Sequence, residues 1–333
     1  MNRFVFILFF NSLVFFASGQ DLHMTQWWNA PLFVNPAMNG YQQGEMQFST
    51  GMRSQWKGVS GVPYQTQWLQ GELNKWSTHK WSFAGGVVRD IAGDGNWRQL
   101  QLYANASRHW VIDSASTIIS LGGQLKFQQW SWDPNLWQWG SQWNGTYYDS
   151  QLPNQEYQLQ QTARIVGLNS GVNWQQNWTS LFNSNLALGI NQMYASSFDI
   201  NGSTQRIKPR WNVSMEFNYK LSSNWKARLL SLNQSQLGQK EWIAIGQMEN
   251  VIDDRVWNYV SWKAGFGFRN RDALVMVFGG QYGQHQLGLS YDWNVSKFAE
   301  ATEYRGGWEL HYSWLLNPLP IPKRVKPVCP DYY

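Results

Sequence analysis

Charge is scarce in this chain. Asp, Glu, Lys and Arg make up only 14 % of 333 residues, where a soluble globular chain carries roughly a quarter. The net charge of +5 is spread thinly, without the Lys/Arg cluster that nucleic-acid binding needs. Cysteine is nearly missing as well: Cys329 stands alone, so no internal disulfide forms and stability must come from the sheet. Beyond the first residues no apolar run approaches the ~20 residues of a membrane helix. The 5 histidines show no HExxH or other metal spacing. The glycine doublets Gly85-Gly86, Gly122-Gly123 and Gly279-Gly280 lack the Lys and the strand-to-helix setting of a phosphate loop. Glycine within strands marks a kink or close packing instead.

Aromatic residues, by contrast, are abundant. They reach 17 % with 23 Trp, and yet mean hydropathy is -0.48, because the polar share is Gln, Asn, Ser and Gly. Disordered chains are poor in aromatics, and a soluble core does not need so many Trp. A chain polar on average, short of charge and rich in Trp and Tyr fits a transmembrane β-barrel with a lipid-facing outside and a wet lumen.

Arg3, the apolar run Phe4 to Phe16 and the small residues Ala17-Ser18-Gly19 form a secretory signal peptide, assigned to residues 1–19. The mature chain then starts at Gln20, and 20–44 reads as a periplasmic N-terminal segment.

From residue 45 onward the dominant period is two. Leu100, Leu102, Ala104 and Ala106 alternate with Gln99, Gln101, Tyr103, Asn105 and Ser107, the signature of a strand. Trp211, Val213, Met215, Phe217 and Tyr219 alternate with Arg210, Asn212, Ser214, Glu216, Asn218 and Lys220. Segments of this kind predict strands at 45–53, 64–73, 81–90, 97–110, 117–128, 161–174, 183–193, 209–220, 224–236, 240–248, 256–269, 272–283, 285–293 and 306–315. That makes an all-β chain: an antiparallel outer-membrane barrel of about 14 strands over 45–316. Trp, Leu and Phe should face outward, and Gln, Asn and Ser inward. Trp81, Trp211, Trp225, Trp242, Trp293, Trp308 and Trp314 fall near strand ends, where aromatic girdles form.

Two regions leave the strand pattern. Residues 129–160 form a connection too long for a hairpin turn, and long loops tend to be functional. Its Trp130, Trp132, Trp137, Trp139 and Trp143, the candidate cargo loop, either stack on sugar rings or on a partner protein, or pack into the barrel mouth. The tail, 317–333, carries Pro318, Pro320, Pro322, Pro327 and Pro330, which forbid a regular strand. With an even strand number both ends of the barrel lie on the periplasmic side. The carboxylate pairs Asp90 and Asp94, Asp253 and Asp254, and Glu300 and Glu303 fall at expected turns. No catalytic residue, cofactor or metal is expected.

Asp21, Met24-Thr25-Gln26 and Asn29-Ala30-Pro31 lead into Asn35-Pro36-Ala37-Met38-Asn39-Gly40, an opening that resembles the PorP/SprF family of Bacteroidota. Arg53-Ser54-Gln55-Trp56, the strand ending in Tyr291-Asp292, the final strand with Glu309, and the Cys329-Pro330 close resemble that family's later motifs in order. The resemblance implies an outer-membrane barrel of the type IX secretion system. Such a barrel assists the secretion or surface attachment of cargo with C-terminal sorting domains, gliding adhesins among them. It also implies partners in outer-membrane lipid and the periplasmic secretion components. Asn35, Pro36, Gly40, Arg53, Gln55, Trp56, Tyr291, Asp292, Glu309, Cys329 and Pro330 would be structural or partner-binding positions. A passive porin or hydrophobic-solute channel is the alternative, since the same barrel chemistry serves both. A secreted carbohydrate-binding or hydrolytic β-protein would use the Trp but not the regular strand lengths.

Overall fold

The computed structural model describes residues 24–40, 45–55, 63–74, 80–93, 97–113, 116–133, 136, 138–153, 162–200, 203–255, 258–296, 299–300 and 302–316. The signal peptide, Trp56, Trp137 and the tail with Cys329 and Pro330 lie outside them.

The strands are β1 (Met46–Gln55), β2 (Tyr64–Asn74), β3 (Trp81–Ala92), β4 (Trp97–Ile112), β5 (Thr117–Ser131), β6 (Thr162–Asn177) and β7 (Phe182–Ala195). A small hairpin, β8 (Phe198–Ile200) and β9 (Ser203–Gln205), follows. The second half adds β10 (Arg210–Lys220), β11 (Trp225–Gln236), β12 (Gln239–Asp253), β13 (Val260–Arg269), β14 (Ala273–Tyr282), β15 (His285–Asn294) and β16 (Trp308–Leu316). Every strand but the hairpin joins one closed antiparallel barrel of 14 strands, with β7 paired to β10 and β1 to β16 at the seam. Closure leaves no sheet edge, the condition for placing backbone in a bilayer.

Each expected strand falls on an observed one. The largest differences are β12, which continues past 248 to Asp253, and β13, which starts at Val260 rather than 256. Lys226 and Glu249, 3.7 Å apart, support the extension of β12. Asp90, expected at a turn, lies within β3 and accepts a hydrogen bond from Thr66.

Burial alternates with the pleat but in the reverse sense of a soluble protein. In β5, Leu121, Leu125 and Phe127 are exposed on the outer face, while Ser120, Gln124, Lys126 and Gln128 are buried inside. The Trp expected at strand ends are all exposed: Trp81, Trp225 and Trp314 at one end, and Trp211, Trp242, Trp293 and Trp308 at the other. Their amphipathic rings suit the two bilayer interfaces.

The two ends of the barrel differ. At the end where β1 starts and β16 finishes, the connections are short: 75–80, 113–116, 178–181, 221–224, 254–259 and 283–284. At the opposite end 132–161, 196–209 and 295–307 are long. Outer-membrane barrels keep short turns in the periplasm and long loops outside, so these are called the turn end and the loop end.

Candidate functional site in the barrel lumen

Residues 24–40, expected within a periplasmic N-terminal segment 20–44, lie inside the barrel. They run through the lumen. Pro31 and Pro36 deny the segment a strand, and it folds instead into three 3-10 turns, Trp27–Asn29, Pro31–Phe33 and Pro36–Met38. Asn35 caps the last of these: its Oδ1 accepts from the Ala37 N–H at 2.8 Å. Trp27, Leu32, Asn35 and Met38 are at most 2 % exposed, so the segment is the core of the barrel.

One wall holds the segment by its backbone. Gly122 of β5, Gly171 of β6 and Gly189 of β7 pair in register and form a row of bare backbone across three strands. A Cβ on Gly122 would collide with Ala37 N, one on Gly171 with Asn35 Oδ1, and one on Gly189 with Val34 O. Ser107 of β4 and Asn212 of β10 extend the row on either side. Ser107 Oγ donates to Pro36 O at 2.8 Å, Asn212 Nδ2 to Val34 O at 2.8 Å, and Asn191 Nδ2 to Phe33 O at 2.6 Å. In return Asn35 Nδ2 donates to Val172 O at 2.9 Å. The carbonyls of a segment outside any sheet thus find partners, as buried carbonyls must.

The facing wall holds it by apolar side chains. Trp27, Trp28, Val34 and Met38 pack with Leu230 and Leu232 of β11, Ile243 and Ile245 of β12, and Val275 and Val277 of β14. Leu229, Trp242, Leu274 and Phe278 face outward as expected, but Leu230 and Leu232 face inward, because what they meet inside is the N-terminal segment and not water. A smaller cluster joins Ala30 and Leu32 to Trp68, Val88 and Tyr103. Phe33 lies edge-on to Trp68 and to Tyr103, both at 5.8 Å.

At the loop end a buried charge cluster clasps the start of the segment. Arg53 of β1 sits directly opposite Glu309 of β16 across the seam and pairs with it. Asp292 Oδ2 lies 2.9 Å from Arg53 Nη2 and 3.1 Å from Arg269 Nη2. Glu309 accepts the Thr25 and Gln26 N–H groups at 2.6 and 2.8 Å. Thr25 Oγ1 donates to Asp292 Oδ1 at 2.8 Å and accepts from Arg53 Nη1 at 2.8 Å and Arg269 Nη2 at 2.7 Å. Gln55 Oε1 accepts from Arg53 Nε at 3.0 Å. Charges taken out of water are tolerated only when paired and hydrogen-bonded in this way.

Of the motif positions, Arg53, Gln55, Asp292 and Glu309 meet in this clasp, and Asn35 and Pro36 sit on the glycine row. Gly40, at φ +76°, turns the chain out at the turn end, where its N–H donates to Glu72 Oε2 at 3.3 Å. Tyr291 points outward and is exposed, apart from the site. Trp130, expected in the long loop, lies within β5, 6.0 Å from Trp97 and edge-on to Phe198 at 5.2 Å, and Trp132, just past the strand, stacks on Trp97 at 4.9 Å. These rings pack together, Trp139 is half-buried, and Trp143 is exposed beside the exposed Tyr147. Sequence reasoning missed Thr25, Arg269, Gly171, Gly189 and Asn212 as site residues. Only the glycines in strands signalled close packing.

The family model for the type IX secretion system membrane protein PorP/SprF matches residues 16–312, and the chain belongs to this family. Among solved structures it is similar to the toluene transporter TbuX of Ralstonia pickettii (TM-score 0.51, 9 % identity, covering 87 % of this chain and 94 % of that one). Pseudomonas putida TodX, also a toluene transporter, gives a TM-score of 0.48 at 11 % identity, covering 86 % of this chain and 91 % of that one. The KdgM porin gives 0.39 at 7 % identity, covering 81 % and 99 % respectively. At such identities the likeness to TbuX is one of fold alone. No match is found among curated protein sequences. The protein is an outer-membrane β-barrel of the secretion-system family.

Proposed function

We propose that the barrel assists the secretion or surface retention of particular cargo proteins with C-terminal sorting domains, gliding adhesins among them. Family membership supplies the system, and one observation favours docking over passage: residues 24–40 occupy the lumen and bond to strands on several sides of it. On this reading cargo meets the loop end, where Trp143 and Tyr147 are exposed. The periplasmic secretion components meet the turn end and the tail, 317–333. A porin or solute channel needs an open path, which a segment at most 2 % exposed at Trp27, Leu32, Asn35 and Met38 disfavours.

The test pairs two measurements. Deleting the gene should strip a specific cargo from the cell surface, and the purified barrel in liposomes should conduct no more than lipid alone. Normal cargo display together with an open pore would reverse the choice in favour of transport.

A further inference from the structure

At the loop end the outer face of the barrel divides into two arcs. On β10, β12, β15 and β16 the strand ends carry the exposed rings of Trp211, Trp242, Trp293 and Trp308. On β3, β4 and β6 they carry Arg89, Arg98 and Arg164, all exposed and each within three residues of its strand's loop-end limit. These arginines share the outward parity of Phe83, Leu100 and Val166. Register brings them together: Arg89 lies opposite Leu100, Leu100 opposite Gln129, and Gln129 opposite Arg164, while Arg98 is the next outward residue of β4 toward the loops. Three strand spacings of ~4.8 Å put Arg89 and Arg164 roughly 14 Å apart at Cα. Arg206 adds a fourth guanidinium, 6.0 Å from the centroid of the exposed Tyr194 ring, and Tyr194 pairs with the outward Leu168 of β6.

No carboxylate shares that face of β1 to β7. These strands hold two, Glu72 and Asp90, and both belong to the lumen: Glu72 is buried, and Asp90 accepts from the buried Thr66. Arg164 Nε donates to a neutral partner, Gln129 Oε1, at 3.2 Å. A cation on a lipid-facing wall is costly at mid-depth and tolerated near the interface, where its natural complement is the anion of a headgroup. The planar arginine fork matches phosphate with two parallel hydrogen bonds.

We propose that this arc binds a phosphorylated glycolipid of the outer leaflet, a disaccharide headgroup with a phosphate at each end. Its acyl chains would run down over Leu102, Phe127 and Val166, the exposed residues of the next outward row. Two observations favour a glycolipid over a glycerophospholipid. The cations spread from β3 to β6, a span that one phosphate does not bridge, and they lie at the loop end, the extracellular side. The proposal rests on the orientation of the barrel and not on the cargo reading.

The purified barrel in detergent, titrated with diphosphoryl lipid A and read by native mass spectrometry, tests it. The wild-type barrel should bind this lipid at least ten-fold more tightly than its dephosphorylated form and than phosphatidylglycerol, with the preference shrinking as salt is raised. Arg89→Gln together with Arg164→Gln should cost at least ten-fold in affinity. Arg108→Gln, on the outer face at the turn end opposite Trp81, should leave the affinity unchanged. Equal binding with and without the phosphates, equal binding of phosphatidylglycerol, wild-type affinity in the double variant, or the same loss in Arg108→Gln would each overturn the proposal. The comparison of the three lipids needs only the wild-type barrel, so it decides the matter even if the double variant fails to fold.

Discussion

The two walls of the lumen grip the same segment by opposite means. On β4 to β7 and β10 the wall is Gly, Ser and Asn, and it holds main-chain carbonyls through donors such as Ser107, Asn191 and Asn212. On β11, β12 and β14 it is Leu, Ile and Val, and it holds Trp27 and Trp28 by packing. Apolar burial is non-directional, whereas a hydrogen bond at 2.8 Å fixes position. The apolar wall therefore holds the segment without fixing its position, while the polar wall and the clasp fix register. Because Arg53 and Glu309 face each other across the seam, docking the segment and closing the barrel use the same charges.

The clasp offers the sharpest break on the polar side. Arg53→Met leaves Glu309 buried without its partner across the seam, a loss of about 3–5 kcal/mol. Urea unfolding of the refolded barrel should show it, with cleavage of 24–40 by added protease rising in parallel. On the apolar wall Leu230, 0 % exposed, is the matching test. Leu230→Ala should cost about 2–5 kcal/mol, the lost transfer energy plus a cavity. If Leu230→Ala were silent while Arg53→Met unfolded the barrel, the division of labour between the walls would be wrong.

A substitution in the glycine row probes position. Gly171→Ala drives a Cβ into Asn35 Oδ1 and should cost about 1–3 kcal/mol as overpacking. Gly123, whose added Cβ meets nothing within 4 Å, is the control on the outer face. Protease cleavage of the segment should rise for Gly171→Ala and stay at the wild-type level for Gly123→Ala.

These sites were not equally legible. Strand positions could be read because alternation is a local signal, and lipid outside with polar groups inside keeps it clean on β4 and β5. The segment 24–40 has no such period. Its burial is dictated by Gly122, Gly171 and Gly189, which are far apart in sequence and align only once β5, β6 and β7 pair. Resemblance, not physical patterning, singled out Arg53, Asp292 and Glu309, since seam closure is what brings them together. One clue was available: Leu274 to Phe278 is apolar on both faces, as in strands that meet no water on either side, and that inner face is where Val275 and Val277 meet the segment.

The smallest effect is expected at Ser107. Pro36 O accepts from Ser107 Oγ at 2.8 Å and also from Asn105 Nδ2 at 3.2 Å, and Asn105 Nδ2 reaches Ser107 Oγ at 3.2 Å as well. Ser107→Ala therefore removes one of two donors and frees the Asn105 amide to serve Pro36 alone. The cost should be about 1 kcal/mol or less, since no carbonyl is left unpaired. Ser107→Ala together with Asn105→Leu strips both donors, and the pair should cost more than the sum of the single changes, because residues that share one acceptor couple. Additive losses in the urea midpoints would mean that the two donors act separately, and that the polar wall holds the carbonyl less closely than the apolar wall holds Trp27.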